Sequence, residues 1–284
     1  MLPRRAIACT VLAALGACHP SPPSPSVPAA SSTPAPPPVP TVSAKPPSAP
    51  PAVCPAAMSS IPGGTFELSE EDEAGARLLR YRTTVDPFCL DVTEVTVSAY
   101  DSCVKAGACT KPDDRTRFCN FGDDARRNHP INCVDWFQAQ AYCAWAGKRL
   151  PTNAEWEIAA RGGTEYRIYP WGDDAPDATR ACYGRYDGTC VAGSHPPEAF
   201  GLRDMGGNVG EWVFDWMAPY PRESVRYRGP ETGRFRTIRG AAWGSGEKFL
   251  PAHIRRWLPP KASQAGNGIR CALKANEPRP KAPR

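Results

Sequence analysis

The sequence predicts an α+β domain that is rich in ordered loops. Its patterns support only short strands and short helices, and beyond Tyr169 glycine, proline and aspartate interrupt every segment. Eight tryptophans accompany this scarcity of long elements, and their large side chains can fill a core between irregular segments. A mixed fold in which loops carry much of the packed structure follows from these two observations.

The early elements are short. Residues 63–68 and 83–90 partly alternate apolar and polar side chains, which predicts two strands. Residues 97–106 place apolar side chains at helical spacing and are followed by a glycine, which predicts a helix. The stretch 109–132 is polar, rich in Gly, Asp and Arg, and contains Cys119. We expect it to form an irregular excursion held by a disulfide.

Two further helices carry stronger start signals. Asp135 with Gln138, and Thr152 with Glu155, have the spacing of a capping box, in which side chain and backbone satisfy each other's hydrogen bonds. Glycines follow both segments, so these helices are expected to end at Ala146 and at Arg161.

The first 18 residues resemble a bacterial lipoprotein signal. A basic pair precedes the apolar run 6–15, which is too short to cross a membrane as a helix. The run ends in Leu15-Gly-Ala-Cys18, which resembles a lipobox, and Cys18 is the expected lipidation site. An ordinary cleaved signal with an incidental cysteine is the alternative. We expect an exported chain anchored in the bacterial envelope membrane, with the outer membrane favoured because His19 follows the cysteine.

Composition divides the rest of the chain. Residues 19–52 are dominated by Pro, Ser and Ala, so they predict an extended, disordered linker of ~3.1 Å per residue. Residues 53–276 are enough for one well-buried domain, and 277–284 predict a disordered tail. The net charge of +5 is mild and no long basic run occurs, so nucleic acid is not an expected partner.

Cysteine usage indicates disulfides. Twelve cysteines occur, two of them in the signal segment, and the remaining ten form an even set in an exported chain. No CxxC motif or Cys/His pair at zinc spacing is present, and the histidines are isolated.

The stretch 201–216 combines glycines, acids and two tryptophans in a way that suits neither a solvated loop nor an ordinary core strand. One interpretation is a glycine-rich turn that leads into a tryptophan-bearing core strand. The other is a buried loop whose carboxylates and carbonyls bind a hard cation such as Ca²⁺. Residue types alone leave both open.

A series of motifs, in chain order, carries a resemblance to a known family. They are Gly63-Gly-Thr-Phe66, Asp91-Val-Thr-Glu-Val-Thr96, His129-Pro-Ile131, Ala141–Thr152, Glu155-Trp-Glu157, Ala160-Arg-Gly162, Pro170-Trp-Gly172, Gly201–Trp212, Arg239-Gly240 and Gly268–Ala272. Together they resemble the formylglycine-generating-enzyme, or sulfatase-modifying-factor, family. The resemblance implies a loop-rich, C-type-lectin-like α+β fold.

Enzymes of that family oxidise a sulfatase cysteine with copper(I) held by two thiolates, ligands that suit the soft ion. By register with the family motif, Ser245 and Leu250 stand where the two thiolates belong. Ala242 stands at the position of an active-site serine, and Gly210 at that of an active-site tryptophan. The resemblance therefore implies the fold without copper, and no catalytic residue is assigned.

Other family features carry over to this chain. The resemblance implies a Ca²⁺ site formed by the Asp204 and Glu211 side chains and the Gly207 and Val209 carbonyls. It also implies a disulfide between Cys143 and Cys271. Bridges Cys54–Cys89 and Cys182–Cys190 are expected beside it. The pairing among the four other cysteines stays open: Cys103, Cys109, Cys119 and Cys133.

Two functions compete. The first is a binding or scaffold protein of the envelope, in which aromatics around Trp243 and Trp257 line the emptied groove and contact a protein, peptide or glycan; burial of both tryptophans in the core is the alternative. The second is an enzyme of the same family with altered, copper-independent chemistry. Ser245 with His253 is the one nucleophile and base pair that the sequence offers it.

Overall fold

The computed structural model describes residues 54–71, 78–113, 115–220 and 229–275. The expected signal segment with Cys18, the linker and the C-terminal tail lie outside these ranges. The chain separates into two units, Met1–Ser48 and Ala49–Arg284, and every described residue belongs to the second. Within the described residues, no helix is both long enough and apolar enough to cross a membrane.

Three helices and nine short strands make up most of the regular structure of the described residues. The helices are α1 (Val97–Lys105), α2 (Trp136–Trp145) and α3 (Asn153–Ala160). The strands are β1 (Met58–Ile61), β2 (Gly64–Glu71), β3 (Leu78–Val85), β4 (Phe88–Asp91), β5 (Gly210–Trp216), β6 (Arg236–Arg239), β7 (Arg255–Leu258), β8 (Asn267–Gly268) and β9 (Ala272–Lys274). Long loops join them, which confirms the loop-rich α+β prediction.

The strands form three small sheets in the described part of the chain, with the orders β1-β4-β9, β2-β3 and β7-β6-β5-β8. Their pairs are antiparallel except β5 with β8, which run parallel. The four-stranded sheet positions the candidate site. Gly210 begins β5, and the loop that follows β6 carries Ala242, Ser245 and Leu250.

The prediction of one strand over 83–90 was wrong at its centre. The structure ends β3 at Val85 and begins β4 at Phe88, and the two strands belong to different sheets. Pro87 lies in the break, where its missing N–H and fixed φ interrupt the pairing of a strand. The alternating pattern therefore covers two strands, which a short turn connects.

Both predicted capping boxes are present. The Asp135 carboxylate accepts from the Gln138 N–H at 2.8 Å, and the Gln138 amide oxygen accepts from the Asp135 N–H at 3.0 Å. At α3, the Thr152 hydroxyl accepts from the Glu155 N–H at 3.2 Å and the Glu155 carboxylate from the Thr152 N–H at 2.8 Å. Residue pairs three apart thus fix where these helices begin.

Helix α3 lies in the centre of the domain, and all eight of its residues are buried. Its Glu157 is fully buried and forms ion pairs with Arg161 (3.1 Å) and with the equally buried Arg239 of β6. The Tyr220 hydroxyl donates to the same carboxylate at 3.1 Å. A buried charge is costly unless it is paired and hydrogen-bonded, so this network fixes α3 against the four-stranded sheet.

Five disulfides tie the loops together. The structure contains the three expected bridges, Cys54–Cys89, Cys143–Cys271 and Cys182–Cys190. It pairs the four open cysteines as Cys103–Cys109 and Cys119–Cys133. The first of these closes the end of α1, and the second closes the irregular excursion, which contains one turn of 3-10 helix (Asp124–Arg126).

Candidate functional site

Ser245 closes a tight turn in the loop after β6. Its hydroxyl accepts from the Ala242 N–H at 3.0 Å, and its own N–H donates to the Ala242 carbonyl at 2.8 Å. His253 faces another way, with Nε2 3.6 Å from a Glu71 carboxylate oxygen. Burial lowers the pKa of this imidazole. No hydrogen bond joins Ser245 to His253 in the described chain, so the serine lacks the positioned base that a nucleophile requires.

Leu250, at the position of the second thiolate, is a core residue. It is 1% exposed and packs with Ala181 and Ala241, with the rings of Tyr169 and Phe249 against the same cluster. An apolar side chain in this setting stabilises the fold by burial and offers no ligand to a metal.

The guanidinium of Arg256, from β7, fills the space where a side chain at Gly210 of β5 would lie. A Cβ at position 210 would collide with the Arg256 guanidinium and would lie 2.9 Å from Cγ2 of Ile238. Nη2 of Arg256 donates to the Gly240 carbonyl at 3.2 Å. The position that the resemblance assigns to an active-site tryptophan is thus filled by an arginine from β7.

No thiol is available to copper in the described chain, because all ten of its cysteines are in disulfides. Copper(I) in a site of this type depends on free thiolates. The residues present therefore do not fit the family's copper site, and no reaction step is assigned to one here.

A groove of about 920 Å³ lies beside these positions, and we call it the β6–β7 groove. It is lined by Ile238, Ile254, Leu258, Leu79, Met217 and Pro219, by aromatic residues, and by several charged side chains. Trp257 lines it and is 51% exposed. Trp243 does not line it: its ring packs 5.0 Å from that of Phe118 and its indole N–H donates to the Ala265 carbonyl at 3.1 Å. Of the two tryptophans expected at the groove, Trp257 is the one present.

The loop before β5 holds three of the four predicted calcium ligands, and the fourth, Glu211, is the second residue of β5. Asp204 and Asn208 have positive φ values of 57° and 56°, and Gly207 lies between them at 116°, so the backbone turns tightly here. One Asp204 oxygen is 2.8 Å from Nδ1 of His195 and the other accepts from the Gly193 N–H at 2.5 Å. The Asp204 carboxylate is therefore held rigidly.

Glu211 is bonded just as fully. The Arg270 guanidinium donates to one of its oxygens from Nε at 2.9 Å, and the Trp156 indole donates to the other at 2.6 Å. Burial raises the pKa of Glu211, and the Arg270 charge opposes that effect. An ion at this loop would share both carboxylates with these protein donors.

Two buried acids beside the loop were missed by the sequence reasoning. Neither oxygen of Glu94 has a hydrogen-bond partner, and one oxygen of Glu198 is equally unpartnered while the other accepts from the Met205 N–H at 2.9 Å. Burial raises the pKa of Glu94 far above its usual range and that of Glu198 to about 8, and the nearby Asp204 charge adds to both shifts. The one sequence feature that could have identified Glu94 is an acidic residue between two β-branched residues within the motif Asp91–Thr96.

These residues fit a hard cation in their chemistry. Carboxylates accept at several lone-pair positions, and the unpartnered Glu94 carboxyl near Asp204 and Glu211 is a further oxygen group that a bound cation would favour in its charged form. No group of three or more His, Cys, Asp or Glu side chains in the described ranges is placed to hold a metal. The predicted site has two side-chain ligands and would also need the carbonyls of Gly207 and Val209. Calcium at these four residues stays a prediction.

The loop-rich α+β fold agrees with that of the sulfatase-modifying-factor family. The family model described as "Sulfatase-modifying factor enzyme 1-like domain" matches residues 43–275, so the chain belongs to this family. The match begins inside the proline-rich stretch expected to be a linker, ahead of the domain start at 53.

Named relatives and structures agree with the family. The formylglycine-generating enzyme of Thermomonospora curvata is 37% identical over 170 residues, covering 52% of this chain and 56% of that protein. The protein named inactive C-alpha-formylglycine-generating enzyme 2 of Bos taurus is 34% identical over 166 residues, covering 52% of each. The structure of PvdO from Pseudomonas aeruginosa superposes with a TM-score of 0.63 at 27% identity, covering 76% of this chain and 94% of that one. The chain spans about half the length of these two curated relatives.

Proposed function

We propose that this chain is an envelope-anchored binding or scaffold protein that uses the family fold without its copper-dependent oxidation. The observation that carries the proposal is the state of the cysteines: all ten in the described chain are in disulfides, while Ser245 and Leu250 stand at the thiolate positions. The hydroxyl of Ser245 is used in a turn and Leu250 in the core. A bovine relative named as inactive is consistent with this proposal.

The competing function is an enzyme of this family with altered chemistry. Incubating the purified full chain with copper and a peptide that carries the sulfatase motif, followed by mass spectrometry, separates the two. We expect no formylglycine, and the Thermomonospora curvata relative, named as a formylglycine-generating enzyme, is the positive control. Copper-dependent formylglycine from this chain would overturn the proposal.

The anchor is part of the same proposal. Lipidation of Cys18 would tether the chain to the bacterial membrane, and the proline-rich residues would hold the domain away from the surface. We expect Cys18→Ala to move the protein to the soluble fraction, with Cys9→Ala as the matched control. Unchanged membrane retention of Cys18→Ala would rule the anchor out.

The predicted Ca²⁺ has a structural role in this proposal, with Asp204, Gly207, Val209 and Glu211 as its ligands. A bound ion would favour the charged form of the buried acids and stabilise the native state by mass action. We expect a calcium chelator to lower the melting temperature of the full chain, and to have less effect on Asp204→Asn. A melting temperature that does not respond to the chelator would remove the ion from the account.

A further inference from the structure

The β6–β7 groove contains an unbalanced positive charge. Three cationic side chains line it, those of Arg255, Arg256 and Lys248, against the two carboxylates of Glu70 and Glu71. Glu70 is paired with Arg255, and the half-exposed Glu71 lies 3.6 Å from Nε2 of His253. Arg256 has no carboxylate partner in the described chain. Its Nη2 donates to the Gly240 carbonyl, and its Nε is buried without a partner.

The apolar part of the groove faces the same guanidinium. The aliphatic side chains of Ile238, Ile254 and Leu258 line it, and Trp257 lies at it half exposed. Lys248, with Nζ 5.1 Å from the centre of the Phe249 ring, adds a second cation on the exposed side. Such a lining suits a ligand that carries apolar groups next to an anionic group.

The placement of Arg256 depends on the residue at position 210. Position 210 carries glycine, and any side chain there would collide with the guanidinium. Burial lowers the pKa of Arg256, since its charge has lost water without gaining a carboxylate. A carboxylate that entered the groove would replace that lost hydration with a charge-assisted, forked pair.

We infer that the β6–β7 groove binds an acidic peptide segment, whose carboxylate pairs with Arg256 while neighbouring apolar side chains contact Ile254, Leu258 and Trp257. The Arg256 guanidinium favours an acidic peptide over a neutral glycan, because a carboxylate supplies the charged partner that it lacks and a sugar hydroxyl does not. This inference rests on the proposed function and names the chemical class of the ligand.

The test uses the full chain and fluorescein-labelled hexapeptides with measurement of anisotropy. A peptide alternating Glu and Leu is compared with peptides in which Gln or Lys replaces every Glu. We expect the Glu peptide to bind at least about tenfold more tightly than either, and Arg256→Gln to remove that preference. Arg117→Gln, which changes an exposed arginine outside the groove, is the matched control and should bind as the unchanged protein does.

Several outcomes would overturn the inference. They are equal affinity for the Glu and Gln peptides, unaltered binding by a folded Arg256→Gln, or binding of an oligogalacturonate with none of the acidic peptide. If Arg256→Gln fails to fold, the comparison of the three peptides on the unchanged protein still decides. If the peptide test fails and the chain also produces no formylglycine, only this inference is lost and the proposed function still stands. Formylglycine production would by itself overturn the proposed function.

Discussion

The lack of a side chain at Gly210 determines which group fills the space beside it, and that group is the guanidinium of Arg256. The arginine has room because position 210 has no side chain, and its guanidinium bonds to the Gly240 carbonyl at 3.2 Å. Neither residue signals this contact in the sequence, since the two are far apart and belong to strands separated by β6. Local patterns therefore could not have predicted that an arginine fills the space beside position 210.

This contact predicts a non-additive pair of substitutions. Gly210→Ala should lower the free energy of unfolding by about 1–3 kcal/mol, because its methyl group forces Arg256 and Ile238 to shift. In Gly210→Ala/Arg256→Ala the collision with Arg256 is gone, so the double variant should lose less than the sum of the two single variants. Urea unfolding of all four proteins gives the coupling, and strict additivity would contradict the packing described here.

At the scale of elements, Asp215 joins β5 to the start of α3. Its carboxylate accepts from the N–H of Asn153, the first residue of the helix, at 2.7 Å, and its other oxygen is buried without a partner. Burial raises the pKa of Asp215 from near 4 to about 7. The side chain therefore holds its proton more firmly in the native state than in the unfolded chain.

The sign of the resulting pH dependence follows from that difference. Between about pH 4 and pH 7 the native state binds more protons than the unfolded state, so this group makes the free energy of unfolding fall as pH rises. Asp215→Asn keeps an acceptor for Asn153 and does not titrate. We expect a smaller loss of stability between pH 5 and pH 8 in this variant. The exposed Asp187→Asn is the control, and equal slopes in both variants and the unchanged protein would refute the assignment.

The elements also show which parts of the fold were predictable. The capping boxes at Asp135 and Thr152 were readable because their hydrogen bonds join residues three apart. The corner at Pro87 was missed because partial alternation continues through it, although the strands on each side join different sheets. Glu94 and Arg270 could be read as parts of a motif, but their burial beside Asp204 and Glu211 depends on contacts across the fold.

At the scale of the whole molecule, the disulfides hold together a domain with little regular structure. Cys143–Cys271 joins α2 to the residue before β9 across 128 positions, whereas Cys103–Cys109 closes a loop of 6. In the chain-entropy model a longer closed loop restrains the unfolded state more. The bridges differ accordingly in what they should contribute.

Removing each of these two bridges by paired Cys→Ala changes tests this difference. We expect Cys143→Ala/Cys271→Ala to lower the free energy of unfolding by about 5 kcal/mol and Cys103→Ala/Cys109→Ala by about 2 kcal/mol. Denaturant unfolding under non-reducing conditions is the measurement. A larger loss from the short bridge would show that loop length does not determine how much each bridge stabilises the domain.

The chain has the fold of its family, and we propose that it lacks the family's copper chemistry. Where the resemblance places two thiolates, the chain has a turn-forming serine and a core leucine, while the cysteines of the described residues close loops. The architecture tolerates this exchange because α3, its buried ion pairs and the disulfides do not depend on the residues of the site. Binding in the groove is the function that we propose for such a molecule.

Titration of the purified, oxidised full chain with copper(I) against a competing chelator tests this account most directly. With every cysteine of the described domain in a disulfide, we predict no stoichiometric uptake of copper(I), while the Thermomonospora curvata relative serves as the comparison. One copper(I) bound per chain, held against the chelator, would contradict the account.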